Sequence, residues 1–469
     1  MTLIEEVPTL LDYVSSSTLA ALLSSSSSLR SLVHASATKV RIHNAVPADF
    51  ALLLSSSWSQ LKHLDHGGSQ MNHAAMSHLI QGEWPALQSL HLSHCHWNLV
   101  AVGQLVNGRW TTLEALDLRQ NSLCPASCTY LAESHWPRLK KLVLKSRQVL
   151  KSRQEWLDSK DCHELGKAQW PLLQELYLEG FLIDGDCIDE LVTAMWPLSE
   201  LVEFDGLTKA AIHALEQGCW EHLKVLRILD LESETAIEHW AGPKWPLLST
   251  LSLHHAEINV DSVQSIAQFT SLQLLDLQFC VTEHDAMALL VSSTCAFLKH
   301  LSFSCSHFGA GAQYELFRGL WAESQSLDPS HVCLDAAAFA SLTPEGWPHF
   351  CKLCMKSCCL NASGLTNVLK GKWSQLDCWQ LGYGIFRDTA AMACLATAYL
   401  PCLTELMLKC CHLDSAALTH LIKGQWPFLE LLNLSSNILD IADLSLLVQG
   451  DWPDLTCPGT ALVLLHIKL

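Results

Sequence analysis

The chain is short of charge. Only 16% of its 469 residues are charged, and acids outnumber bases 47 to 29, a net charge of −18. An acidic surface repels phosphate backbones, so no nucleic-acid partner is expected. Long apolar runs are also missing. Nothing approaches the ~18–20 residues needed to cross a bilayer, and the terminal ALVLLHIKL is too short, so no membrane partner is expected. The opening MTLIEEVPTLLDYV carries acids early and lacks the layout of a signal peptide. Catalytic signatures are absent too: no Gly-rich phosphate loop, no H-E-x-x-H, no G-x-S-x-G. Neither an enzyme nor a bound cofactor is expected.

What the chain does have is apolar material, 49% of residues, enough for a continuous core and too much for a disordered chain. Its 20 cysteines are scattered. Their spacing argues against a disulfide framework, and with no signal peptide it points to a reducing compartment, cytoplasmic or nuclear.

Tryptophan is abundant, with 17 copies, and 13 of them keep one phase. Anchors fall at Trp58, Trp84, Trp110, Trp136, Trp170, Trp196, Trp220, Trp245, Phe269, Cys295, Trp321, Trp347, Trp373, Leu400, Trp426 and Trp452, mostly 26 residues apart, with one step of 34. Apolar residues follow at +3, +6 and +8, as in Leu113, Leu116 and Leu118. The +6/+8 alternation is the period of a strand with one face inward. At +11 stands Asn121, Asn437, Cys95, Cys280, Cys358 or Cys411. A buried amide there can bond open backbone groups of neighbouring coils, and cysteine is a small filler for the same slot.

The second half of each repeat reads as a helix. In Leu413–Trp426, Asp414 or Ser415 can cap its start, and Leu418, Leu421 and Ile422 recur at helical spacing. Gly424 stands two before the anchor, as do Gly82, Gly108, Gly218, Gly319, Gly371 and Gly450. A left-handed C-cap is expected at these glycines. Proline after the anchor, at Pro85, Pro137, Pro171, Pro197, Pro246, Pro348, Pro427 and Pro453, stops the helix. Strand, turn, helix and stop make a unit that buries its apolar face only when stacked. Strands ~4.8 Å apart and helices ~10 Å wide then force a curve.

The pattern L-x-x-L-x-L-x-x-(N/C)-x-L with a helical second half resembles the leucine-rich repeat. The period is similar to that of the ribonuclease-inhibitor-like and cysteine-containing subclasses; the Trp-Pro anchor departs from the commonest consensus. The resemblance implies an α/β fold, a curved leucine-rich-repeat solenoid with parallel strands on the concave face and helices on the convex face. About 15 repeats are expected over residues 58–455, with a basic insertion near 145–168 and an irregular end at 456–469. The insertion holds VLKSRQVLKSRQ, Val143–Gln154, a tandem duplication. Slippage into a tolerated surface loop is weighed against a basic loop for an acidic partner. The terminal ALVLLHIKL reads either as a crude cap or as the mark of a truncated gene product.

Residues 1–57 precede the first anchor. Tyr13, Val14, Leu19, Leu22, Leu29, Arg30 and Leu32 resemble the latter part of an F-box, which would recruit a ubiquitin-ligase adaptor. Leu29 stands where that family has Trp, and the segment from Pro8 to Tyr13 is about a turn short. The competing reading is a helical cap on the first repeat.

Two clusters invite a metal. Cys351, Cys354, Cys358 and Cys359 contain C-x-x-C, but no second pair follows at finger spacing. His94 and His96 flank Cys95, a repeat-slot residue. Both are read as structural. The expected function is a scaffold that binds another protein through outward strand positions. Those positions include Lys62, His91, Glu114, Asp117, Arg119, Lys140, Tyr177, Glu179, Glu203, Arg227, His254, Asp276, Lys352, Tyr383, Glu405 and Lys409. The alternative is an F-box-like substrate receptor of a ubiquitin-ligase complex.

Overall fold

A computed structural model describes residues 37–41, most of 58–453, and the backbone of 462–464. Residues 69–72, 146–154, 232–236, 238–243, 294–296 and 385–388 are the longest stretches inside that range that lie outside the described residues. The F-box-like segment and most of the duplication fall outside them too. The chain divides after residue 232 into two compact units.

Unit 1 holds β1 (Lys39–Arg41), β2 (His63–Asp65), β3 (Ser89–His91), β4 (Ala115–Asp117), β5 (Lys141–Lys145), β6 (Glu155–Leu157), β7 (Glu175–Ile183), β8 (Leu201–Leu207) and β9 (Val225–Leu231). All pairs are parallel, in the order β1-β2-β3-β4-β5-β7-β8-β9, and β6 pairs with the far end of β7. Each strand meets the next one repeat on, so Leu64, Leu90, Leu116, Leu142, Leu176, Val202 and Leu226 make one row. That whole row is buried. The strand Lys39–Arg41 lies ahead of Trp58, in register with His63–Asp65.

Unit 2 holds β10 (Thr250–Leu253), β11 (Glu257–Ile258), β12 (Leu274–Asp276), β13 (Val281–Thr282), β14 (His300–Ser302), β15 (His307–Phe308), β16 (Ser326–Asp328), β17 (Lys352–Cys354), β18 (Cys378–Gln380), β19 (Glu405–Met407), β20 (Leu431–Asn433) and β21 (Leu462–Leu464). Its main sheet is parallel, in the order β10-β12-β14-β16-β17-β18-β19-β20-β21, and β11, β13 and β15 form a small second sheet. Here Trp379, which is not an anchor, takes the Leu place in the buried row between Leu353 and Leu406. Helices such as Lys209–Gln217 and Ser415–Leu421 connect the strands. Each unit is therefore an α/β solenoid of the leucine-rich-repeat type, strands on the inner face and helices on the outer. The mismatch between strand and helix spacing bends it toward the strands.

The anchors are packing residues, and four of them also cap their helix, whereas the indole N–H of Trp136, Trp196, Trp220, Trp347 and Trp426 has no partner among the described residues. The indole N–H of Trp84, Trp110, Trp321 and Trp373 donates at 2.8–2.9 Å to the carbonyl five residues back, in the last turn of its own helix. That satisfies a carbonyl the helix end leaves open. Neighbouring anchors stack: Trp136 on Trp170 at 6.1 Å, Trp170 on Trp196 at 6.0 Å, Trp321 on Trp347 at 5.3 Å and Trp426 on Trp452 at 5.9 Å. Phe269 keeps the stack with Trp245 at 5.6 Å.

The expected left-handed glycine cap is not what forms. Gly218 has φ −67° and Gly319 φ −58°, ordinary extended backbone. The glycine is needed for space. A Cβ on Gly82, Gly218, Gly319 or Gly424 would lie 2.5–2.7 Å from the indole two residues on. The left-handed residue sits instead at +10. His94, Gln120, His255, Phe279, Cys305, His331, Ser357, Tyr383, Cys410 and Ser436 all have φ between 54° and 62°, and Gly68 and Gly180 share the sign. This residue turns the chain out of the strand and aims the +11 side chain inward.

The +11 amides behave as their type predicts. Asn121 Nδ2 donates to the carbonyls of Leu92 and Leu118, and Oδ1 accepts from the N–H of Cys95 and Trp97. Asn437 repeats the set with Leu408, Leu434, Cys411 and Leu413. The thiols of Cys95, Cys280, Cys358 and Cys411 each donate at 3.1–3.3 Å to a carbonyl of the previous coil. Asp414 caps its helix by accepting from the Ala417 N–H at 2.9 Å.

Candidate interaction surface

The inner strand face of unit 1 carries nine of the expected residues, and most of them pair with polar or charged neighbours there. Because the register steps one repeat, a carboxylate at one position lies beside a base at the same position one coil on. Glu114 pairs with Lys140 at 2.8 Å and Glu200 with Lys224 at 2.9 Å. Glu203 pairs with Arg227 at 3.2 Å and His91 with Asp117 at 3.5 Å. Arg119 clasps Asp117, with Nε and a terminal nitrogen both 2.8 Å from Oδ2. Lys141 pairs with Glu175 at 2.6 Å and lies 4.7 Å from the centre of the Tyr177 ring. Two bases just ahead of the expected insertion, Lys140 and Lys141, are thus committed to the sheet. Exposed pairs of this kind contribute only ~0–1 kcal/mol each, but they neutralise the face.

Three expected outward carboxylates, Asp117, Glu179 and Glu203, are buried. Burial pushes the Asp117 carboxyl up, but hydrogen bonds from His91 and Arg119 outweigh it and hold the group below its ordinary range. For Glu203, burial and a hydrogen bond shared with Glu179 raise the carboxyl despite Arg227. Lys62 stays exposed just ahead of β2.

In unit 2, His254, Asp276, Lys352 and Glu405 lie on the strand face, and Tyr383 and Lys409 stand exposed where the strands exit. A depression of about 570 Å³ opens over β12, β14, β16, β17 and β18, edged by Asp276, His300, Asp328, Lys352, Cys354 and Gln380. Burial pushes the Cys354 thiol up to about 11. Burial and the neighbouring Glu405 push Cys378 up to about 12, and its thiol donates to Glu405 at 3.2 Å. Such thiols are unreactive at neutral pH. Cys351 and Cys358 donate to backbone carbonyls of Gln325 and Pro329. Among the described residues no group of three His, Cys, Asp or Glu side chains could hold a metal ion; Cys359 and His96 lie outside them.

Sequence reasoning missed Ser252. Its hydroxyl donates to Asp276 Oδ2 at 3.0 Å and lies 3.3 Å from His254 Nε2, which is itself 3.4 Å from Asp276. A nucleophile needs its base on one ring nitrogen and the carboxylate on the other. Here hydroxyl and carboxylate meet the same nitrogen, so the trio is a polar network. Opposite charges one period apart, as at Glu114 and Lys140, were visible in the sequence; Ser252 gave no such signal.

No protein-family profile matches the chain, and no curated protein does. Among solved structures, it is similar to an internalin (inlF) from Listeria monocytogenes at 16% identity, covering 76% of this chain and 88% of that one, TM-score 0.39. It is similar to a chain of the yeast Rad7 and Elc1 complex at 16% identity, covering 78% and 83%, TM-score 0.45. A third is from a TLR13–ssRNA13 complex, 15% identical, covering 85% and 62%, TM-score 0.37. No residue role is carried across at that distance. No described helix is long and apolar enough to cross a membrane.

Proposed function

We propose that the chain is a non-catalytic scaffold that binds another protein on its inner strand face. The observation that carries this reading is the repeat itself. Helix packing, anchor stacking and the inward turn commit the remaining positions to the core, and the strand face is what the array leaves to a partner. Within that face the paired charges of unit 1 supply little attraction. Tyr383 of unit 2 is exposed and is of a residue type on which recognition concentrates, and Lys352 and Lys409 are exposed on the same unit's strand side. The period and the Asn/Cys slot favour the ribonuclease-inhibitor-like and cysteine-containing pattern of repeat.

Amine cross-linking of the full chain with its affinity-purified partner tests the site. Cross-links should map to Lys62, Lys352 and Lys409 on the strand side. Links confined to Lys209 and Lys370, on the helix side, would overturn the assignment.

A further inference from the structure

The outer helices of unit 1 hold a pair of cysteines that the sequence pattern did not mark as partners. Cys162 lies on the helix Ser159–Gly166 and Cys187 on the helix Gly185–Val192, in consecutive coils. Their Cα atoms are 5.3 Å apart, and the structure joins their sulfurs. A separation of ~4.4–6.8 Å is what a disulfide spans. Both side chains are fully buried.

The repeat explains the approach. Counting back nine from the anchor gives Cys187, and in other coils Ala211, Ala286, Ala312, Ala338, Ala391 and Ala417, all buried. In those coils the slot holds a small residue packed inside the array. Counting back eight gives Cys162, and elsewhere Met76, Val102, Ile188, Met287, Leu365 or Leu418. Between these two coils the eighth-position side chain of one meets the ninth-position slot of the next. Only Cys187 puts a cysteine in that slot. The two helices are close elsewhere as well. A Cβ on Gly166 would lie 3.3 Å from the Glu190 carbonyl oxygen, and His163 Nδ1 is 2.6 Å from Glu190 Oε2.

The placement along the chain is telling. The helix Ser159–Gly166 lies within the one long step of the array, 34 residues from Trp136 to Trp170. Extra loop length raises the entropy that this coil loses when its helix docks. A covalent link to the next coil offsets part of that loss by restricting the unfolded chain.

We propose that Cys162 and Cys187 form a disulfide that clips the coil carrying the insertion to the coil after it. The oxidant is a low-molecular-weight disulfide. One thiolate attacks it and releases one small thiol. The second thiolate then attacks the mixed disulfide, closing the Cys162–Cys187 bond and releasing the other small thiol. The two protein hydrogens end on the two departing thiols. Since both sulfurs are shielded once the helices dock, the exchange takes place during folding.

Cell-free synthesis of the full chain in a buffer of low-molecular-weight disulfide and thiol tests this. The product is unfolded, alkylated without reduction, digested and mapped by mass spectrometry. The expected result is a linked pair of peptides carrying Cys162 and Cys187 that disappears on prior reduction. Finding both residues alkylated without reduction would overturn the proposal. A second measurement uses C187A, which restores the alanine of the other coils and should fold. Wild type should melt several degrees higher with the bond intact than after reduction, whereas C187A should melt alike in both conditions. A wild-type melt indifferent to reduction would overturn the clip.

Discussion

Trp110 illustrates why indole recurs at the anchor. Its ring is almost wholly buried, and its N–H donates to Leu105 O at 2.9 Å. Leu400 can fill the slot but supplies no donor, and Phe269 stacks but cannot cap. One side chain thus closes its own helix and fills the corner. Removing it opens a cavity too large for local collapse. Trp110→Ala should cost roughly 3–5 kcal/mol, read as a shift of the urea midpoint. A surface-like cost below ~0.5 kcal/mol would mean that the anchor is not a core residue. The companion glycine was legible as a position and not as a role. Helix-end glycine ordinarily signals a left-handed backbone, and nothing in one sequence says that an indole will occupy the space of its missing Cβ.

At the scale of the element, the turn after each strand does the closing. The +10 residue takes a left-handed φ even when it is Phe279 or Tyr383, a conformation that costs ~1–2 kcal/mol for a residue with a Cβ. The inward +11 side chain offsets that cost by binding backbone that would be buried unpaired. Asn437 serves four such groups on its own and the preceding coil, whereas Cys411 donates mainly to one carbonyl of the coil before it, at 3.3 Å. Asn437→Leu should therefore destabilise by at least ~3 kcal/mol, since unsatisfied buried groups cost ~1–3 kcal/mol each. Asn437→Cys, the alternative the array itself uses, should cost clearly less. Chemical denaturation of the two variants decides it; equal losses would show that the amide bonds contribute nothing beyond filling the slot. Strand, helix and slot were all readable because their spacing repeats. The partners of the slot were not, because they depend on which coil lies beside which.

Across the whole molecule, the ion pairs of the strand face were half-legible: opposite charges 26 apart could be counted, but their engagement required the register. The clip between Cys162 and Cys187 was hidden because the 34-residue step breaks the count from the preceding anchor. Ionisable groups along the strands set how stability answers to pH. His63 and His300 are lowered, by burial first and then by nearby lysines. Their contribution is full above the unfolded value, ~6.5, and is lost as pH falls through the folded value. Glu203 is raised, so its contribution is full below the unfolded value, ~4.3, and is lost as pH rises through the folded one. Between pH 7 and about 5 these changes oppose each other. Asp117 and Asp276 are held low; burial opposes this, but hydrogen bonds from His91 and Arg119, and from His254 and Ser252, prevail. Their stabilisation is present above the unfolded value, ~3.9, and is lost as pH falls through the folded one. Stability should therefore fall below about pH 4, as the two aspartates take up protons. Asp117→Asn should cost ~1.5–3 kcal/mol at pH 7, the worth of a hydrogen bond to a charged group, and show a shallower acid limb. Urea titrations of both proteins at pH 7, 5 and 3.5 test this, and a gap between them that persists undiminished at pH 3.5 would rule out the Asp117 carboxylate as a source of the acid sensitivity.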